Sequence, residues 1–118
     1  MVTIQPVGNQ LVILEPDGRL TEETVHEFKR TVSKWVRRGW RDLILDLGSV
    51  TYLDSAGIGA LASLYTSSQR RGGRAVFVNV AGKNRELLRV TKLLTVFEVY
   101  DSTADAKRSF GSSETALA

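Results

Sequence analysis

Asp54 and Ser55 stand side by side in "YLDSAGIGALASLY" (residues 52–65), between an apolar run and an alanine-rich one, with Gly57 and Gly59 close behind. A hydroxyl next to a carboxylate at the mouth of a helix has four chemical uses. It can cap the helix, attack a substrate, cradle a phosphate with the glycines, or accept a covalent group itself. Each use demands different company in the chain.

A serine nucleophile needs a base within hydrogen-bond reach. The single histidine, His26, falls among polar and charged neighbours on the first expected helix. A nucleophile elbow, G-x-S-x-G, would need glycine where Leu53 stands. With one histidine and no cysteine there is no thiolate or imidazole cluster for a metal, and the acids form no evident pair. The expectation is a protein without catalytic residues, metal or cofactor.

The phosphate cradle has a formal match: Gly57, Gly59 and Ala62 satisfy G-x-G-x-x-[GA]. That fingerprint should follow its strand at once, with an acid about 20 residues later. Here "GSVTYLDSA" intervenes after Leu47, and the window from Phe77 to Gly82 holds neither Asp nor Glu. Nucleotide binding stays as an alternative reading. Helix capping by Asp54 or Ser55 is common chemistry, yet it leaves the thinness of "SAGIGA" unexplained. Glycine inside a helix costs about 1 kcal/mol relative to alanine. Two in one turn imply a close approach to the backbone by a neighbouring strand, another protein, or both.

A modified hydroxyl supplies a further reason. A helix N-terminus presents unpaired amides and partial positive charge, and a phosphoserine there carries about −1.5 to −2 charges. The fold would tolerate it while the surface changed sign. Like-charge juxtaposition at an interface costs several kcal/mol, and about 3–4 kcal/mol weakens binding by hundreds-fold.

The elements that must position this pair follow from periodicity. Val2 to Val7 and Leu11 to Pro16 read as a hairpin around "GNQ", and "PDGRL" leads from it to Thr21, an expected N-cap. Val25, Phe28, Val32 and Trp35/Val36 then recur at helical spacing until Gly39. "DLILDL" (residues 42–47) is a buried strand, residues 55–71 a helix with Ile58, Leu61, Ala62 and Tyr65 on one face, and "AVFVNV" (residues 75–80) another strand. "GKNRELLRVTKL" predicts a third helix, "TVFEVY" a weaker strand, and "STADAKRSF" a last helix capped by Ser102. The order ββαβαβαβα requires parallel crossovers beside an antiparallel hairpin. The fold class is α/β: a mixed sheet of about five strands with four helices, one domain over residues 1–110, and a disordered tail over 111–118.

Composition narrows the setting. At 118 residues, 42% hydrophobic and 25% charged, the chain has the make-up of one globular domain. Its start lacks the pattern of a signal peptide, and no apolar run approaches the roughly 18 residues of a membrane span. The expected setting is cytoplasmic, without membrane association. The net charge of +3 comes from Lys34, Arg37, Arg38 and Arg41 near the end of the first helix and Arg70, Arg71 and Arg74 near the end of the second. Cations there complement the helix macrodipole, so no direct nucleic-acid partner is expected.

The stretch "YLDSAGIGALASLYTSSQRRGGRAVFVNVAGKNRELLRVTKL", within a span of roughly Val2 to Phe110, resembles the STAS-domain anti-sigma factor antagonists. Their signature is an apolar residue, Asp-Ser, a small residue, Gly, then Leu or Ile and a helix. The resemblance implies a STAS-like fold and a switch that works by changing partners. The unphosphorylated antagonist binds an anti-sigma factor that is also a serine kinase, which frees a sigma factor. Phosphorylation of the serine after the aspartate, here Ser55, releases the antagonist, and a serine phosphatase resets it. Asp54 would flank the acceptor, and Gly57, Ile58 and Gly59 would shape the contact surface. With Ala56, they would be joined by an exposed flank of the helix carrying Ala60, Ser63 and Ser67. The family often has a second serine at the Ala56 position and glycine at the Lys92 position; with Ala56, only one hydroxyl remains in the motif. A non-switching STAS scaffold within a larger signalling or transport assembly is the alternative within the family.

Overall fold

The computed structural model describes residues 2–117, with side chains through residue 111. Strands β1 (Val2–Val7) and β2 (Leu11–Pro16) form the opening antiparallel hairpin. β2 then pairs in parallel with β4 (Asp42–Asp46), β4 with β6 (Ala75–Val78), and β6 with β7 (Glu98–Tyr100). The resulting sheet has the order β1-β2-β4-β6-β7. Helices α1 (Val25–Arg37), α2 (Ser55–Arg70) and α3 (Gly82–Val90) connect its parallel strands, and α4 (Thr103–Leu117) closes the chain. The disordered tail expected over 111–118 falls, beyond Gly111, outside the residues whose side chains are described.

Alternation along the strands sorts the core into two layers. Val12, Leu14, Leu43, Leu45 and Phe77 point to the face covered by α1, α2 and α3. Leu11, Ile13, Ile44, Val76 and Val78 point the other way and meet Ala106 of α4. Because both faces are covered, β4 and β6 read as continuous apolar runs rather than alternating ones. Phe77 and Phe97 stack with ring centroids 4.4 Å apart, joining β6 to the chain before β7.

Two elements depart from the expected order. β3 (Gly18–Leu20) and β5 (Val50–Leu53) pair in parallel as a separate two-stranded sheet, in segments the sequence reads as turn and loop. Three or four residues carry too little periodicity to announce a strand, and this pairing is a long-range one, Leu20 opposite Leu53. The first helix starts at Val25 rather than just after Thr21. Thr21 is buried within a preceding turn, its N–H donating to Thr24 Oγ1 at 2.9 Å and its carbonyl accepting from the Val25 N–H at 2.7 Å. The third helix ends at Val90, before Lys92, whose φ of 69° stops it, and Leu93–Thr95 form a short 3-10 turn. Ser102 caps α4 as expected, its Oγ accepting from the Asp105 N–H at 3.1 Å.

Candidate functional site

The small β3–β5 sheet delivers Asp54 and Ser55. β5 ends at Leu53, Asp54 takes an extended conformation, and α2 begins at Ser55. Both carboxylate oxygens of Asp54 are engaged. Oδ1 accepts the Gly57 N–H at 2.9 Å, a helix cap, and Oδ2 accepts the Glu22 N–H at 3.0 Å, in the segment leading to α1. Those two amides hold the Asp54 carboxyl below the usual carboxylate range against some opposing desolvation. Asp54 is therefore a clamp between α2 and the turn that joins β3 to α1.

Gly57 answers the question of close approach. A Cβ on this residue would lie 2.2 Å from the Leu20 carbonyl oxygen, so the α2 backbone sits directly on the end of β3. Gly59 differs: its Cβ position has nothing within 4 Å. Packing inside the fold accounts for the first glycine and leaves the second unexplained.

Ser55 is exposed, and its hydroxyl has no hydrogen-bond partner among the described residues. Gly59 and Ser63 follow it at exposed positions, so Ser55, Gly59, Ser63 and Thr66 form one outward ridge along α2. Ala56, Ile58 and Ser67 are half-buried, Ser67 accepting from Arg71 Nη1. The expected exposed flank is corrected at Ala60, which is only 4% exposed. One helical turn from Ala56 and Leu64, it faces α1 and belongs to the core. Gly57, buried under Leu20, shapes the helix start without offering contact area. Sequence reasoning missed Leu20, whose carbonyl sets the glycine requirement, and Tyr52, which is 53% exposed on β5 beside the motif with Arg19 over its ring at 5.7 Å. An aromatic next to the Asp-Ser pair was the available signal for Tyr52; nothing local pointed to Leu20.

The same geometry bears on the phosphate cradle. The Gly57 amide that a bound phosphate would need already donates to Asp54, and the Leu20 carbonyl lies against that glycine. The N-terminus of α2 is filled by its own carboxylate. Among the described residues no cluster of His, Cys, Asp and Glu is suited to a metal ion, and no helix is long and apolar enough to cross a membrane.

Comparison with known proteins gives a consistent result. The family model described as STAS domain matches residues 2–106. A Thermotoga maritima protein described as a candidate anti-sigma factor antagonist is 28% identical over 101 residues, 85% of this chain and 89% of its own length. A crystal structure of a Thermotoga maritima protein with that description superposes with a TM-score of 0.84 at 25% identity, covering 92% of each chain. The Bacillus cell-fate determinant SpoIIAA in its phosphorylated form shares the fold at a TM-score of 0.73 and 17% identity, covering 92% of this chain and 97% of its own. The unphosphorylated form of the anti-sigma factor antagonist SpoIIAA gives 0.72 at 16%, covering 92% and 96%.

Proposed function

This chain belongs to the STAS-domain family, and from that premise we propose that it is an anti-sigma factor antagonist switched by phosphorylation of Ser55. In its neutral form it binds an anti-sigma factor of the serine-kinase type through the ridge that starts at Ser55, and so releases a sigma factor. In its phosphorylated form it is repelled, until a serine phosphatase restores the hydroxyl. The observation that carries this reading is the exposed Ser55 hydroxyl at the first position of α2, beside an aspartate engaged in holding the helix.

The physics of the switch is local. A kinase can reach Ser55 without opening the fold. The added phosphate carries about −1.5 to −2 charges on an exposed side chain at the start of a 16-residue helix, where it projects into solvent and the domain keeps its structure. A partner fitted to a bare hydroxyl meets a bulky dianion beside Asp54. Gly59 supports the same reading: a helical glycine with open space at its Cβ lets a partner's backbone or side chain approach α2 closely.

Incubation with ATP and a serine-kinase anti-sigma factor, followed by mass spectrometry, is expected to place one phosphate on Ser55 and none on the Ser55→Ala variant. Phosphate persisting in Ser55→Ala would remove the assigned acceptor. Ser55→Asp is expected to weaken partner binding tens- to hundreds-fold by calorimetry, which corresponds to roughly 2–4 kcal/mol.

A further inference from the structure

A second surface lies beside the Ser55 ridge, where α1 meets α2, and shares Ser63 with it. Between the two helices runs a groove of about 360 Å³ whose apolar floor is half-buried Val36 with the outer edges of the core residues Phe28, Val32, Ala60 and Leu64. Its rims carry Lys29, Ser33, Ser63, Ser67 and Arg71. Small side chains on α2 leave the trough open: Ala60 and Ser63 stand where leucines would close it against α1.

Lys29 and Ser33 also border the outer face of α1, which presents Lys29, Arg30, Lys34, Arg37 and Arg38 with no acid between them. All five are exposed, and none forms an ion pair among the described residues. The one contact of this group with an aromatic is Arg38 over the Trp35 ring at 5.9 Å. Arg37 and Arg38 complement the C-terminal end of the helix dipole, but Lys29 and Arg30 lie in its first half, where the dipole disfavours cations. Self-repulsion along one helix face opposes folding; Glu27, exposed one turn before Arg30, is the one carboxylate on α1 against these five cations and is ion-paired with none of them. Among the described residues Arg71, at the far end of the groove, has only the hydroxyls of Ser67 and Ser68 as side-chain acceptors, and its Nε is buried without one.

We propose that the α1–α2 groove is a docking site for an acidic amphipathic helix of a protein partner. The apolar floor takes the helix's apolar stripe, while the α1 cations and Arg71 face its carboxylates. Charge complementarity selects an anionic occupant, and shape separates the classes of anion. A bilayer surface cannot enter a trough between two helices, and no large apolar side chain protrudes from this face to insert. A nucleic-acid backbone has no use for the apolar floor, and no exposed aromatic beside the cations offers stacking. The site needs no phosphorylation and does not include Ser55; although it shares Ser63 with the ridge, its test uses a synthetic helix and no anti-sigma factor, so its failure is distinguishable from failure of the switch.

The probe is a synthetic 18-residue helix with leucine on one face and glutamate on the other, titrated into the full chain at 50 mM salt and followed by amide NMR shifts. Binding is expected to move the signals of Val32, Ser33, Ser63 and Ser67, and to weaken at least tenfold at 500 mM salt as the charges are screened. Lys29→Glu/Arg30→Glu/Lys34→Glu changes only exposed positions and should keep the native circular dichroism while losing at least tenfold in affinity. The same helix with lysine for glutamate is expected not to bind. The proposal is overturned if the glutamate helix gives no shifts at millimolar concentration, or if the charge-reversed variant binds it equally. Tighter binding to a 20-base-pair duplex or to vesicles with 30% anionic lipid would also overturn it, by assigning the cations to another class of partner.

Discussion

At the scale of single residues, Asp54 connects structure to pH. Its carboxyl accepts the Gly57 and Glu22 amides, which favour the charged form and hold its pKa below the ordinary value. At pH values between the folded and unfolded pKa, the unfolded chain binds more protons than the native one, so stability rises with pH there. Asp54's contribution is complete above the unfolded value of about 3.9 and is lost as pH falls through its depressed folded value. Thermal midpoints measured from pH 6 to 2 are expected to drop less steeply below pH 4 for Asp54→Asn than for the wild type, and to start lower at pH 6. Parallel curves for the two proteins would remove Asp54 from the acid response. The Asp-Ser pair and the cap were legible from residue type and position alone. The burial of Ala60 was not, because a small residue at the seam between two helices looks the same in sequence as one facing solvent.

At the scale of elements, the two glycines of α2 separate packing from partner contact. Gly57→Ala forces a methyl group to within 2.2 Å of the Leu20 carbonyl, a backbone atom that cannot swing aside. Overpacking of this kind costs about 1–3 kcal/mol, and chemical denaturation should show it together with a loosened β3–β5 pair. Gly59→Ala meets open space and gains helix propensity, so it should stabilise the free domain by up to about 1 kcal/mol. The same alanine stands on the exposed ridge and is expected to weaken anti-sigma factor binding. A variant more stable yet poorer at binding would separate the two roles; unchanged affinity would place Gly59 outside the interface. The strands of the main sheet and the first three helices follow from their apolar patterns, and α4 follows from its Ser102 cap. The β3–β5 pair escapes that reasoning, since what stabilises it is Leu20 meeting Leu53 across 32 intervening residues, and local pattern carries no trace of such a pairing.

At the scale of the whole molecule, the two faces of the sheet are unequally held. The α1–α3 side has a continuous core from Val12 to Phe97, whereas α4 contributes Ala106 as its single fully buried side chain among the described residues. Arg74 offsets part of that imbalance. It pairs with Glu98, donates to Ser109 Oγ at 3.2 Å, and lies 4.3 Å from the Phe110 ring centroid. Its ion pair is more than one-third exposed on both sides, so screening limits the pair to the modest values of surface salt bridges. α4 is therefore expected to open as a unit before the sheet does. Native-state hydrogen exchange should give α4 amides at 106–110 an opening free energy below that of β4 and β6. Arg74→Ala should lower it further, by roughly 1 kcal/mol, while the strand amides of β4 keep their protection. Exchange of α4 only through global unfolding would show instead that this helix is as firmly bound as α1 and α2. In that event Leu11, Ile13, Ile44, Val76 and Val78 would make the α4 face a second cooperative core rather than a hinged cover.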